Sequence, residues 1–386
     1  MRRLLPLLVL GLLAGCVGTR PAPVACPAFA AATGGPDRRT AAAAEAVEDA
    51  LMAEMAEADR GGAVRLRVVS LSAGGQFGAF GAGFLAGWSR NPAAPRPVFD
   101  VVTGVSAGAI LAPVAFAGPG FDRSLLFYRG LGARAVSRPR LLFGLLGGGS
   151  VASPAPLEAL LRREVTPALV AAIAARYRRG DRLLVAATNL DTTEGEVIDL
   201  GALAADPDPA RAARCIREAV LASAAIPGLL PPRNVGGALL ADGGLRDQVF
   251  FRAVDTARAR VARRTGRRVE VDAFLVVNGA LRPPGAPAAD SILGYVGRSV
   301  AILADEVLRD SILEAVAFAE GRPGWRLRGV VAGAEVMAAC GLDSVPTATF
   351  DACVTRVLYD EGVLRGSAVP IAWLDAAALR ALAEEL

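Results

Sequence analysis

The segment from residue 64 to residue 117 constrains the fold more than any other part of the chain. Val64 to Leu71 is apolar and β-branched, as in a buried strand, and a loop then leads into a helix pattern over Ala79 to Trp88. Phe99 to Thr103 and Ala109 to Ala117 repeat this order of strand, loop and helix. The alternation is typical of a parallel sheet whose two faces are covered by helices. It predicts an α/β fold with a mostly parallel central sheet.

Further elements are predicted across the remainder of the chain, within a single domain over residues 63–386. Strand patterns cover Leu183 to Thr188, Glu196 to Asp199, Ala238 to Ala241, Val269 to Val277 and Leu327 to Val331. Helix patterns cover Pro156 to Glu164, Ala210 to Ala224 and Ser291 to Glu320. Periodicity alone does not give the order of the strands in the sheet.

Composition excludes some classes of protein. Hydrophobic residues make up 53% of the 386 residues, which permits a large core and excludes a disordered chain. The net charge is only +4, and the arginine cluster between residues 258 and 268 is typical of the solvated face of a helix. No basic patch with interleaved aromatic residues is present, so nucleic acid is not an expected partner.

The first sixteen residues resemble a bacterial lipoprotein signal. Arg2 and Arg3 precede an apolar run of residues 4–13, which is too short to span a bilayer. The run ends in Leu-Ala-Gly-Cys, which resembles the lipobox, where cleavage precedes the cysteine that is lipidated. A plain secretory signal is the alternative. Residues 1–15 are therefore predicted to be removed, and Cys16 to carry a lipid that anchors the protein to a membrane surface in the cell envelope, facing the periplasm. Val17 mildly favours the outer membrane.

Residues 16–62 are predicted to form a tether followed by a lead-in helix over Thr40 to Asp59. Four cysteines remain after Cys16. Cys340 and Cys353 close a short loop, and an oxidising compartment would favour a disulfide between them. No CxxC pair and no histidine accompany these cysteines, so no metal site is expected.

The pentapeptide Gly104-Val105-Ser106-Ala107-Gly108 has the Gly-x-Ser-x-Gly pattern of a nucleophile elbow, in which a strand-to-helix turn exposes a serine. A small-residue turn between strand and helix is the simpler reading, since the chain contains 43 glycines. The chain contains no histidine, the residue that usually takes the serine proton. If Ser106 is a nucleophile, a carboxylate must therefore activate it.

The loop from Ser72 to Gly83 could bind an anion through backbone amides, because glycine permits a close approach and a helix begins there. A dinucleotide site would require Gly-x-Gly-x-x-Gly, and Ala73 occupies the first position. An oxyanion hole fits the loop better. Further along, Asp242-Gly243-Gly244 follows an apolar strand, which places a carboxylate at the edge of the sheet. A tight Asp-Gly turn is the alternative.

In this order, the Ser72 loop, the Ser106 elbow and the Asp242 motif resemble the patatin-like phospholipase family. The segment from Ala222 to Pro232 is similar to the Ala-Ser-x-Ala-x-Pro stretch of that family, and the resemblance covers roughly residues 64–247. It implies the three-layer patatin-like fold and a Ser–Asp dyad. By position, Ser106 would be the nucleophile, Asp242 the base, and Gly74 and Gly75 the oxyanion donors.

The resemblance implies a lipid acyl hydrolase of phospholipase A type that needs no cofactor and no metal, with phospholipids or other acyl esters as substrates. An esterase or thioesterase on smaller acyl groups is one alternative, and a catalytically idle lipid-binding envelope lipoprotein is another. No protein partner is indicated. The loop departs from the family pattern at Ala73, where φ must be negative, and at Phe77, which removes a positive charge beside the site.

Overall fold

The computed structural model describes residues 20–27, 36–57, 64–139, 150–279, 281, 290–333, 335–342 and 350–384. The predicted signal peptide over residues 1–15 and the predicted lipidation site Cys16 lie outside these residues. None of the described helices has the length and apolarity needed to cross a bilayer.

The chain alternates strands and helices, as the sequence predicts. The strands are β1 Val64–Leu71, β2 Val101–Val105, β3 Arg138–Pro139, β4 Ala152–Ser153, β5 Arg182–Asn189, β6 Gly195–Asp199, β7 Arg233–Val235, β8 Ala238–Asp242, β9 Val269–Val277 and β10 Trp325–Val331. The α-helices are α1 Pro36–Glu57, α2 Gly78–Ser89, α3 Ala107–Ala117, α4 Ala133–Val136, α5 Ala155–Glu164, α6 Pro167–Arg178, α7 Leu200–Ala204, α8 Pro209–Ser223, α9 Arg252–Thr265, α10 Ile292–Glu320, α11 Val336–Ala339, α12 Ala352–Ser367 and α13 Ala376–Glu384.

Eight strands form one mixed sheet in the order β10–β9–β1–β2–β5–β8–β7, and β6 pairs with β5. The five strands from β10 to β5 run parallel, whereas β6 and β8 are antiparallel to β5 and β7 is antiparallel to β8. A separate two-stranded sheet joins β3 to β4. The prediction of a mostly parallel sheet covered by helices is confirmed.

Hydrophobic cores lie on both faces of the sheet, because consecutive side chains of a strand point to opposite faces. In β1, Val69 and Leu71 belong to the core that includes α2, α3 and α8. Leu66 and Val68 belong to the other core, with α1, α9 and α10. The protein is therefore a three-layer α/β structure in which every parallel strand contributes side chains to both cores.

The strands agree with the sequence prediction more closely than the helices do. Both β1 and β9 have the predicted bounds, whereas α6, α12 and α13 were not predicted. Helix α12 packs so tightly on α2 that a Cβ atom at Gly83 would lie 1.9 Å from the carbonyl oxygen of Tyr359. Glycines on both helices permit this contact, and glycine also weakens the helix pattern in the sequence.

Part of the predicted tether lies against the domain. Val24 forms a parallel β-bridge with Val235, and Cys26 forms a disulfide with Cys215 of α8. The lead-in helix α1 also contributes to the core, since Val47 and Leu51 are fully buried. The folded unit therefore includes residues that the sequence analysis placed before it.

The structure contains two disulfides, of which the sequence predicted Cys340–Cys353 and missed Cys26–Cys215. The missed pair joins residues 189 positions apart, and local spacing gives no signal for such a bond. In the chain-entropy description, closing a loop of that length stabilises the fold by about 5 kcal/mol, against about 3 kcal/mol for the short Cys340–Cys353 loop.

We therefore expect the Cys26→Ala, Cys215→Ala double variant to lose more free energy of unfolding than the Cys340→Ala, Cys353→Ala double variant. Denaturant unfolding of both variants beside the wild type measures the difference. Peptide mapping without reductant should first recover both cross-linked peptides. Free thiols at Cys26 and Cys215 in the folded protein would contradict the pairing.

Candidate active site

Strand β5 brings the ends of two other strands together. Val105, the last residue of β2, pairs with Ala186, and Asp242, the last residue of β8, pairs with the next residue, Ala187. Ser106 follows Val105 directly, so the register places it beside Asp242. Its Oγ donates a hydrogen bond of 2.6 Å to Oδ2 of Asp242, and both side chains are buried.

Ser106 has a strained backbone, with φ 52° and ψ −116° between strand β2 and helix α3. Positive φ costs a non-glycine residue free energy, and such strain is concentrated at functional sites. The flanking glycines allow the turn. A Cβ at Gly108 would lie 2.0 Å from the carbonyl oxygen of Leu71, and one at Gly104 would lie 2.6 Å from the carbonyl oxygen of Gly108. The Gly-x-Ser-x-Gly pattern is thus required by close backbone packing.

Ser223 supports the nucleophile elbow through two hydrogen bonds of its hydroxyl group. Its Oγ accepts a hydrogen bond from the Ser106 amide at 3.0 Å and donates one to the carbonyl oxygen of Ala186 at 2.6 Å. Two residues later, the Ala225 carbonyl oxygen accepts a hydrogen bond from the Asp242 amide. The Ala222–Pro232 segment therefore positions both members of the pair. Ser223 carried no functional signal in the sequence beyond its place in that segment.

Burial dominates the electrostatics of Asp242. It raises the pKa of the carboxyl group to about 6, while hydrogen bonds from the Ser106 hydroxyl and the Gly244 amide act in the opposite direction. The Gly244 amide donates to Oδ1 at 2.8 Å, so each carboxylate oxygen has a donor. Gly243 packs against the backbone of β5, where a Cβ would lie 2.4 Å from the carbonyl oxygen of Ala186. The glycine of the Asp-Gly-Gly motif thus allows the segment that carries the Asp242 carboxylate to pack closely against β5.

The glycine loop lies beside Ser106 on the same cavity. Gly74 and Gly75 have φ values of 154° and 54°, and Ala73 is not among the residues with positive φ, as the sequence requires. A Cβ at Gly74 would lie 1.3 Å from the carbonyl oxygen of Asn278, so no other residue fits there. Within the described part of the chain, the amides of Gly74 and Gly75 donate no hydrogen bond. They remain available to an anion.

The middle of this loop is uncharged. Phe77 is buried, and the Gln76 side chain is buried with its Oε1 accepting a hydrogen bond from the Asp351 amide. Asp351 lies two residues before Cys353, so the predicted disulfide holds the segment that contacts the loop. The loop therefore offers backbone dipoles and no side-chain cation.

A cavity of about 250 Å³ opens in front of the Ser106–Asp242 pair. Helix α10 forms one wall, and the cavity is lined mostly by apolar side chains and glycine backbone. The polar side chains among its described lining residues are Ser106, Asp242, Gln248 and Asp305. A second, narrower pocket of about 30 Å³ lies on the other side of Ser106 and is lined by residues such as Leu157, Leu230 and Phe350.

Three other carboxylates, Asp100, Asp191 and Asp247, lie away from Ser106. The Asp100 carboxylate accepts a hydrogen bond from the Arg67 amide at the beginning of β2, at the opposite end from the elbow. Asp191 pairs with Arg20 at the surface, and Asp247 lines a different cavity. Among the described residues, one close group of potential metal ligands occurs, and its cysteines, 340 and 353, are joined as a disulfide.

A serine hydrolase needs a nucleophile, an adjacent base and donors for an oxyanion. The buried serine, its paired carboxylate and the nearby glycine loop have the geometry that such a site requires. Residues 69–255 match the family model described as patatin-like phospholipase. This part of the chain therefore belongs to the patatin-like phospholipase family, and the fold is the patatin fold. At the level of the family, this implies a hydrolase that acts on lipid acyl esters.

Among solved structures, the crystal structure of VipD from Legionella pneumophila is similar to this chain at 14% sequence identity. The alignment covers 76% of this chain and 67% of that chain, with a TM-score of 0.27. No curated protein matches the chain.

The raised pKa of Asp242 predicts a pH-dependent cost to stability. In the unfolded chain, an aspartate has a pKa of about 3.9. The folded state therefore binds the proton more tightly, and its stability falls as pH rises from about 4 through about 6. Asp242→Asn removes this cost, so we expect the variant to gain about 1–3 kcal/mol in free energy of unfolding at pH 8.

At pH 4 most of the gain should disappear, since Asp242 is then protonated in the folded protein and the cost of burying its charge is absent. Thermal unfolding at the two pH values measures the change, with Asp310→Asn, an exposed carboxylate on α10, as the matched control. A loss of stability in Asp242→Asn at pH 8 would show that hydrogen bonds stabilise the charged carboxylate by more than burial destabilises it.

Proposed function

We propose that the protein hydrolyses lipid acyl esters of phospholipase A type, with Ser106 as nucleophile and Asp242 as general base. The observation that carries this proposal is the 2.6 Å hydrogen bond from the Ser106 hydroxyl to Asp242 at the head of an apolar cavity. A serine hydroxyl is a weak nucleophile until an adjacent base accepts its proton. With no histidine in the chain, Asp242 is the group in contact with it that can do so.

The reaction then runs in two halves. Ser106 Oγ attacks the ester carbonyl and gives its proton to Asp242, which passes it to the departing alcohol as the acyl-serine forms. Water next attacks the acyl-serine while Asp242 takes a proton from it. Collapse of that intermediate releases the fatty acid and returns the proton to Ser106. Burial supports this role, because a pKa of about 6 makes Asp242 a stronger base than an ordinary aspartate, and activity should rise with pH through about 6.

The amides of Gly74 and Gly75 are the proposed oxyanion donors. Both residues line the cavity with Ser106, and neither amide is used elsewhere in the described part of the chain. Preorganised donors of this kind stabilise the charge that develops on the carbonyl oxygen and typically contribute a factor of about 10²–10³ to the rate. A metal ion is not needed for the charge to be stabilised there.

The rim of the cavity supports a lipid ester as substrate. Leu245 and Leu303 both line the cavity and are nevertheless 42% and 65% exposed. Ile302 next to Leu303 is also exposed. Apolar side chains that are exposed to solvent at the mouth of a site favour amphiphilic ligands.

An esterase or thioesterase on small acyl groups is the second candidate. The 30 Å³ pocket beside Ser106 favours it, because that pocket admits only a small group. A chain-length series of esters of one alcohol separates the two, since a lipid hydrolase should gain in kcat/KM as the acyl chain lengthens. A catalytically idle lipid-binding protein would hydrolyse none of them.

Ser106→Ala tests the nucleophile. The change removes one hydroxyl, so we expect ester hydrolysis to fall by at least about 10³-fold while the fold is retained. A fluorophosphonate probe should label Ser106 in the wild type and leave the variant unlabelled. Ser223→Ala is the informative comparison, because it removes a support of the elbow and leaves the nucleophile in place. Undiminished turnover in Ser106→Ala would remove the assignment.

We further propose that the enzyme is an envelope lipoprotein anchored through Cys16, on the strength of the Leu-Ala-Gly-Cys sequence. A lipid-modified cysteine would keep the domain on a membrane surface, where its substrates lie. We expect Cys16→Ser to shift the protein from the membrane to the soluble fraction and to abolish incorporation of labelled fatty acid. Tight association of the variant with membranes after a high-salt wash would point to a different anchor.

A further inference from the structure

We propose that Asp305 makes the cavity selective for acyl esters whose alcohol part carries a positive charge, and against esters whose alcohol part is anionic. This inference rests on the proposed function, and it names the class of substrate. It begins with the position of Asp305 on α10, in the wall of the cavity that contains Ser106 and Asp242.

The charged side chains among the described lining residues of the cavity are all carboxylates. Of the four polar side chains among the described lining residues, Asp242 and Asp305 are carboxylates, and Ser106 and Gln248 are neutral. No described lining residue is an arginine, and the chain contains no histidine. In the glycine loop beside the cavity, Phe77 is apolar and buried. A phosphate group in this cavity would therefore meet negative charge with no compensating cation among these residues.

Asp305 makes no ion pair or hydrogen bond among the described residues. Burial is the largest influence on the Asp305 carboxyl and raises its pKa to about 6. Of the nearby charges, Arg298 lowers this pKa and Glu306 raises it. Arg298 lies two helical turns away, and Glu306 forms a salt bridge with Arg309. Above pH 7 the Asp305 carboxylate is thus charged, half-buried and unpaired, which favours a cationic ligand.

The helix backbone next to Asp305 is held by the segment that follows Asp242. The Gln248 side chain donates a hydrogen bond to the carbonyl oxygen of Ala304, and the Gln248 amide donates one to Oγ of Ser311. These two bonds attach α10 to the chain six residues after Asp242 and fix the backbone next to Asp305. The causes that act on the pKa of Asp242 are its burial and the hydrogen bonds from Ser106 and Gly244. The proposed role of Asp305 is therefore towards the charge of the substrate and not towards the base.

A matched set of dodecanoate esters tests the inference: choline dodecanoate is cationic, glycerol monododecanoate is neutral and 2-sulfoethyl dodecanoate is anionic. We measure kcat/KM for each at pH 8, below the micelle concentration. The wild type should prefer the cationic over the anionic ester by on the order of tenfold, and added salt should weaken this preference. Asp305→Asn should bring the ratio close to one, and Asp305→Arg should reverse it.

Asp310→Asn, an exposed carboxylate on the same helix and outside the cavity lining, is the matched control and should keep the wild-type ratio. An unchanged ratio in Asp305→Asn, or an equal loss of kcat/KM on all three esters, would overturn the role of Asp305. Hydrolysis of none of the esters by the wild type would instead overturn the proposed function, so the two failures are distinguishable. A wild-type preference for the anionic ester would overturn the charge selection.

Discussion

The hydrogen bond between Ser106 and Asp242 depends on the register of strand β5. One strand arrives parallel to β5 and the other antiparallel, and their last residues pair with Ala186 and Ala187. A shift of either strand by one residue would turn its side chains to the other face of the sheet. The alignment is therefore fixed by the packing of both hydrophobic cores, and the buried pair exists because many apolar side chains hold two strand ends side by side.

Burial gives the Asp242 carboxyl a proton affinity close to that of the imidazole base in many serine hydrolases. An aspartate in water is a weak base, but the enclosed carboxyl of Asp242 has a pKa of about 6, close to the reference value of about 6.5 for histidine. Burial of the charged Asp242 carboxylate lowers the stability of the folded protein and raises the basicity of the carboxylate. Both effects follow from the same desolvation free energy. A histidine-free chain can thus reach the same working pH with a side chain that it buries in the sheet edge.

The sequence predicted the layers of this fold and the motifs that the structure brings together at the candidate site, because both depend on local patterns. Strand β1 alternates between two cores, and the glycines at positions 104 and 108 mark a turn that no other residue permits. Long-range features were not predictable. The order of the strands depends on pairings between separate segments of the chain, and the Cys26–Cys215 bond and the support of Ser106 by Ser223 join residues more than 100 positions apart. Asp305 could not be recognised from the sequence either, since only the path of α10 brings it to the cavity.

Together with the proposed anchor at Cys16, the disulfide at Cys26 would limit where the protein can act. With Cys16 as the proposed lipid anchor, only ten residue steps separate the bilayer from a covalent bond to helix α8. A fully extended chain of that length spans at most about 35 Å, comparable to the diameter of a small domain. The enzyme would therefore remain next to the membrane surface that holds it, and its substrates would come from that leaflet and its immediate surroundings.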